Sequence, residues 1–173
     1  MILQGERIKL RAIEPGDAKL LYQWENDTSV WHVSNTITPF SKDIIQQYLS
    51  SAHLDIYTTK QLRLIIETEN KTPIGCIDLY DFNPLHLRAG IGILISAAEH
   101  RRKGYADEAV DVLIKYAFNT LNLNQLFCHI GVENSGSVAL FQKHKFRIVG
   151  TKKNWVKNGK SWSDVHFLQL LNE

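Results

Sequence analysis

The chain has 173 residues, 44% hydrophobic and 22% charged, a length and balance that suit one globular domain whose core needs no disulfide or metal. Its 20 Lys and Arg against 18 Asp and Glu leave a net charge of +2, too weak a field to predict nucleic acid as a partner. Met1 to Arg7 lack the apolar run of a secretory leader and no segment reaches membrane-spanning length, so the expectation is one cytoplasmic domain over residues 1–173 with no membrane contact.

Glu6 to Ile13 alternate apolar Ile8, Leu10 and Ala12 with charged Arg7, Lys9 and Arg11, the period of a half-buried strand. Glu14-Pro15-Gly16-Asp17 stops it. Asp17 is placed to cap a helix carrying Leu20, Leu21 and Trp24, and Ser41 a second helix with Ile44, Ile45, Tyr48 and Leu49. Between them Val30 to Phe40 reads as an aromatic, Thr-rich loop. Residues 61–68 and 73–82 read as an antiparallel pair about the turn Glu69 to Pro73. The run Ala89 to Ile95 is a third strand, in which Gly90 and Gly92 leave room for close approach by another backbone or a ligand.

Residues 104–121 place Ala106, Ala109, Val110, Leu113, Ile114, Ala117, Phe118 and Leu121 on one stripe, predicting an amphipathic helix lying on a sheet. Gln125 to Val132 reads as a strand and Ser135 to Lys145 as a short helix. The end reads as a hairpin on Lys157-Asn158-Gly159-Lys160, where Asn-Gly suits a type I′ turn. The expected fold is therefore α/β of the α+β kind, a predominantly antiparallel mixed sheet of about seven strands flanked by about four helices. Cys76 and Cys128 stand singly in apolar runs and read as buried thiols, and no metal site is expected.

The chemistry concentrates where the third strand leads into the long helix, through Arg101-Arg102-Lys103-Gly104-Tyr105-Ala106. A basic, glycine-containing loop opening a helix directs free backbone N–H groups and the positive end of the helix dipole outward, a site suited to pyrophosphate. The alternative is a solvated turn. Neither a G-x-x-x-x-G-K-[ST] loop nor a G-x-G-x-x-G between strand and helix competes for that role.

With those residues the chain resembles the GNAT acetyltransferases, and within them the ribosomal-protein and spermidine N-acetyltransferase-like group. Ile8 to Asp17 is similar to that group's opening, Ile74-Gly75-Cys76-Ile77 to its central strand, and Arg101 to Ala106 to its [QR]-x-x-G-x-[GA] loop. Asn134-Ser135-Gly136-Ser137 and Phe141 to Phe146 resemble its late helix, and Asn158-Gly159-Lys160 with Asp164 its closing hairpin. The resemblance implies acetyl transfer from acetyl-CoA to a primary amine, a small amine or polyamine or a peptide N-terminus, by direct attack. It implies that the pantetheine arm runs along Ile93, Leu94 and Ile95 where this strand splays from Cys128 to Gly131. The pyrophosphate would sit on Arg102 to Ala106, with Arg101, Arg102 and Lys103 supplying charge and Asn134 and Ser137 helping to hold the cofactor. A homodimer paired at a strand edge is also implied.

The chain departs from the family pattern where protons move. The late-helix tyrosine of many relatives is Phe141, which has no proton to donate. Gly90 stands where a glutamate is common, and Lys145 replaces the glycine before the last aromatic. An acidic pair of spermidine-type relatives is replaced by Val33-Ser34-Asn35. The remaining candidates are Asp81, as base through water or amine anchor, and Asp78, with His86 and His129 behind them and Trp24, Trp31, Tyr48 and Tyr80 as lining for the acceptor pocket. Two further readings stay open, a non-catalytic acyl-CoA-binding sensor that lost its proton relay and a nucleotide-binding regulator.

Overall fold

A computed structural model describes residues 3–173; Met1 and Ile2, part of the opening segment read for a leader, lie outside them. Strand β1 (Ile8–Ala12) leads through a 3-10 turn (Pro15–Asp17) into helix α1 (Ala18–Glu25). Helices α2 (Trp31–Ser34), α3 (Lys42–Ser50) and α4 (Ile56–Thr59) follow, then strands β2 (Leu62–Thr68), β3 (Pro73–Asn83) and β4 (Arg88–Ile95). Helix α5 (Tyr105–Asn119), strand β5 (Gln125–Gly131), helix α6 (Ser135–Lys143) and the hairpin β6 (Arg147–Asn158) and β7 (Ser161–Leu171) complete the chain.

The strands form one sheet in the order β1-β2-β3-β4-β5-β7-β6. Every neighbouring pair is antiparallel except β4 and β5. Side-chain alternation divides the sheet into two faces. On one face α5 presents Ala109, Val110, Leu113 and Ala117, all fully buried, to Ile8, Leu10, Ile77, Leu79 and Ile91. On the other, α1 and α3 lay Leu21, Ile45 and Leu49 over Ile65. The stripe read from residues 104–121 is thus the central core contact, and both cysteines are buried free thiols.

Three local expectations are corrected. Asp17 does not cap α1 through its side chain; its carboxylate accepts two hydrogen bonds from the Arg11 guanidinium, 2.8 and 2.9 Å, and one from the Glu14 N–H, 2.8 Å. A charge-assisted bidentate pair outcompetes one cap bond. The interval Val30 to Phe40 is not all loop, since α2 forms one turn there, ended by Asn35 in the left-handed conformation. With α4, another single turn, it stands beside the four expected helices, α1, α3, α5 and α6. The hairpin turn lies one residue later than read: Asn158 pairs with Ser161, and only Gly159, at φ 61°, is left-handed, which is the II′ rather than the I′ pattern. The Ser41 cap is present, its hydroxyl accepting from the Ile44 N–H at 3.1 Å.

Candidate active site

The loop after β4 is built from the backbone outward. Arg102 at φ 58° and Gly104 at φ 83° are left-handed and separated by one residue. Such alternation turns successive N–H groups toward a common point, an anion-binding concavity. Among the described residues no acceptor reaches the backbone N–H of Arg102, Lys103, Gly104, Tyr105, Ala106 or Asp107. The helix α5, 15 residues long, adds its dipole to the same point. The two acidic residues of its first turn are held aside. Asp107 accepts from Lys143 at 2.7 Å and pairs with His144 at 2.9 Å, and Glu108 accepts from the Arg7 Nε and backbone N–H at 3.1 and 2.7 Å.

The basic residues of the loop divide in function. Arg101 turns back, its Nε and Nη2 donating to the carbonyls of Ile95 and Ser96 at 3.0 and 3.1 Å, and so staples the loop to the end of β4. Arg102 and Lys103 are exposed, with heads free for an anion. Arg7, which the sequence marks only as a charged strand position, joins them: its Nη1 donates to the Lys103 carbonyl at 3.0 Å and its guanidinium lies over the Tyr105 ring at 5.2 Å. The two segments are 96 residues apart, so only the fold brings them together.

The loop stands at the wide end of a fork. Strands β4 and β5 pair at Arg88 with Gln125, Ala89 with Leu126 and Gly90 with Phe127, and no further. Ile93, Leu94 and Ile95 continue paired to β3 on one side only, while Cys128 to Gly131 pair only with β7. The facing backbone edges are open, as a bound amide-containing chain requires. From Gly90 to Ile95 the open edge is about 17 Å long at roughly 3.3 Å per residue, comparable with an extended pantetheine arm. Burial pushes the Cys128 thiol at the fork up to about 12, so it stays protonated near neutral pH and is no nucleophile.

At the narrow end an aromatic group covers the face opposite α5. The rings of Tyr80 and Phe127 meet edge to face at 5.8 Å, and His129 stands 5.7 Å from Phe127 and 5.0 Å from Phe167. Burial, reinforced by Lys152 and opposed by Asp81, holds the His129 imidazole below its ordinary pKa. Phe141 is buried in the main core, edge to face with Phe146 at 5.1 Å, and offers no polar atom to the fork. Asn134 caps α6, its Oδ1 accepting from the Ser137 N–H at 3.2 Å, which orders both residues beside the end of β5.

The two acidic candidates differ in setting. Asp78 is engaged, its carboxylate accepting from Arg63 Nε and Nη2 at 2.7 and 3.0 Å, while the remaining Arg63 nitrogen pairs with Glu25 and its guanidinium lies 5.9 Å from the Tyr48 ring centre. Arg63, Glu25 and Tyr48, without Asp78, floor a cavity of about 230 Å³ between α1, α3 and β2, walled by Leu21, Phe40, Ile44 and Ile45. Asp81 is exposed and left-handed at φ 48°, on a bulge that interrupts the β3–β4 register between Tyr80 and Asn83. His86 lies exposed in the turn beyond, its N–H bound to Asn83 at 2.9 Å, away from the fork. Among the described residues no group of three His, Cys, Asp or Glu is arranged to hold a metal.

A basic strand-loop-helix junction thus stands at the mouth of a splayed parallel strand pair in a seven-stranded mixed sheet, the architecture of an acyltransferase family. The acetyltransferase (GNAT) domain family model matches residues 7–147, and the chain belongs to this family. Spermidine N(1)-acetyltransferase of Vibrio cholerae is 29% identical over 142 residues, covering 82% of this chain and 80% of that protein. The uncharacterized N-acetyltransferase p20 of Bacillus licheniformis is 32% identical over 174 residues, 98% of this chain and 95% of that one. The crystal structure of the Vibrio cholerae spermidine enzyme with CoA and spermine matches with a TM-score of 0.86 at 26% identity over 95% of each chain. A dodecameric structure of that enzyme matches at 0.79.

Proposed function

We propose that the chain transfers the acetyl group of acetyl-CoA to a primary amine by direct attack within a ternary complex. The observation that carries this reading is the run of six N–H groups, Arg102 to Asp107, without a partner among the described residues at the mouth of the β4–β5 fork. Orphaned donors there fit a pyrophosphate, and the open edges of Ile93 to Ile95 and Cys128 to Gly131 fit the amides of a pantetheine arm. Arg102, Lys103 and Gly104 to Ala106 would hold the phosphates, Arg101 and Arg7 shape the loop, and Asn134 and Ser137 border the arm. When bound, acetyl-CoA supplies the activated acyl group.

The residues of the chain then act mainly by placement. Holding an amine against the acyl carbon is worth roughly 7–11 kcal/mol of the barrier, so no covalent enzyme intermediate is needed and Cys128 supplies none. The acceptor enters from the α1 and α3 face, where the cavity above Arg63 opens. Its walls are apolar and its one cation, Arg63, is paired with Glu25 in the lining and with Asp78 outside it, leaving no unpaired positive charge to repel an amine. That suits an amine carried on a short or apolar body, such as a small metabolite or a peptide N-terminus. The Vibrio cholerae relative is named for spermidine, and polyamines belong in the same panel.

The test is titration calorimetry with CoA, pantetheine and ATP. CoA is expected to bind at least tenfold more tightly than pantetheine, which lacks the pyrophosphate, and more tightly than ATP; equal affinities for CoA and pantetheine would remove the cradle from the reading. Phe141 favours a second reading, an acyl-CoA-binding sensor without turnover. Tight CoA binding with no thiol release against small amines, polyamines and peptides would select it.

A further inference from the structure

The fold supplies a phenol at the fork from a different strand. Tyr80 lies opposite Gly90 in the β3–β4 register, on the face away from α5. Its ring crosses β4: a side-chain carbon built on Gly90 would overlap the Tyr80 Cε2 and Cζ atoms, and one built on Gly92 would stand 3.8 Å from Cε1. The ring ends edge to face with Phe127, the last β5 residue paired to β4. Gly90 therefore makes room for a side chain of the neighbouring strand, while at Gly92 the ring is only in ordinary contact range. The outer part of the ring therefore lies over the last paired positions of β4 and β5, at the apex of the fork.

We propose that the Tyr80 hydroxyl takes over the proton-handling place left empty by Phe141, donating its hydrogen to the sulfur that leaves the acyl carbon. This rests on the proposed acetyl transfer, because the apex is where an arm running from the 102–107 cradle along Ile95 to Ile93 would end. The amine nitrogen forms the C–N bond as the C–S bond breaks, and the bonding pair departs on sulfur. The surplus proton of the amine reaches that sulfur through Tyr80, which gives up its own proton as it receives the other, so the phenol is unchanged. Burial raises the Tyr80 pKa above that of an ordinary phenol, against a smaller opposing effect of the His129 N–H. The side chain therefore remains a donor throughout the working pH range and no tyrosinate accumulates.

Tyr80→Phe keeps the ring over Gly90 and removes only the hydroxyl. The expected result is kcat lower by about 10²- to 10³-fold, the loss of one preorganised donor, with the Kd for CoA within threefold of wild type. A second readout needs no turnover: the ultraviolet thiolate band of bound CoA, followed against pH, should show a thiol pKa about one unit higher or more in the variant. Adding Phe141→Tyr to Tyr80→Phe should restore part of kcat. Unchanged kcat with an unchanged bound-thiol pKa overturns the assignment, as does loss of CoA binding, which would make the hydroxyl a structural part of the fork. If wild type shows no turnover on any amine yet Tyr80→Phe still shifts the bound-thiol pKa, the acetyl-transfer reading fails while the placement of Tyr80 at the sulfur stands.

Discussion

Gly104→Ala is the sharpest perturbation of the cradle. At φ 83° the glycine occupies a conformation that costs an L-residue roughly 1–2 kcal/mol. An added Cβ would stand 3.0 Å from Arg7 Nη2, the far end of a flexible side chain that can move aside. Against this, alanine restricts the unfolded chain and returns about 0.4–1 kcal/mol. The net loss of stability is then about 1 kcal/mol, a fall in Tm of roughly 2–4 °C for a domain of this size. Binding should suffer more. If the Lys103–Gly104 peptide rotates to relieve the strain, one or two N–H groups leave the convergent set. Each hydrogen bond to a charged group is worth roughly 1.5–3 kcal/mol, so the Kd for CoA should rise about 10- to 100-fold. Gly16→Ala, with no neighbour within 4 Å and no left-handed φ, is the control and should bind CoA as wild type does. Calorimetry beside thermal melting separates the effects: a lowered Tm with CoA affinity within twofold of wild type would refute the cradle.

Three further outcomes follow from the ion pairs and the bulge. Asp78→Ala leaves the half-buried Arg63 with Glu25 alone and should cost about 2 kcal/mol in urea unfolding, the loss of hydrogen bonds to a charged group, much of it recovered by also changing Arg63→Met; undiminished stability with abolished turnover would instead make Asp78 a base. Asp81→Asn is a clean probe because asparagine tolerates the left-handed backbone, and it should lower kcat more than CoA affinity, with equal losses in both removing its role at the acceptor. Asp17 and Glu67 are titrating partners of Arg11. The Arg11 hydrogen bonds lower Asp17 despite burial; burial raises Glu67 but is outweighed by Lys9 and Arg11. Both folded pKa values lie below the ordinary 3.8 and 4.5, so their stabilisation is complete above about pH 4.5 and is lost as pH falls through the folded values. Arg11→Met should flatten the urea midpoint in that window, and an unchanged acid limb would contradict the assignment.

The sequence shows most clearly what local periodicity dictates. The α5 stripe, the alternation of β1 and the Ser41 cap depend on neighbours within a turn or two, and they stand in the structure where the pattern puts them. The loop from Arg101 to Ala106 was legible for the same reason, as a strand end, a basic turn and a helix start in direct succession. What escaped depends on register across strands. Asp17 looks like a cap until Arg11, six residues earlier, is folded beside it. Gly90 reads as room for a ligand, while the sheet uses it first for Tyr80. Arg7 meets the cradle only because β1 packs against α5, bringing it to Glu108, 101 residues away. The splay of β4 from β5 was implied by the family resemblance alone; nothing local in the sequence marks it, because it appears only when two parallel strands stop pairing after three residues.

The central claim is tested most directly by incubating the protein with acetyl-CoA and a panel of small amines, polyamines and short peptides, following thiol release and the mass of the products together. Thiol release is expected to depend on the amine, matched one for one by a product carrying one added acetyl group. CoA bound in the cradle, with no amine in the panel accelerating thiol release or gaining an acetyl group, would contradict it.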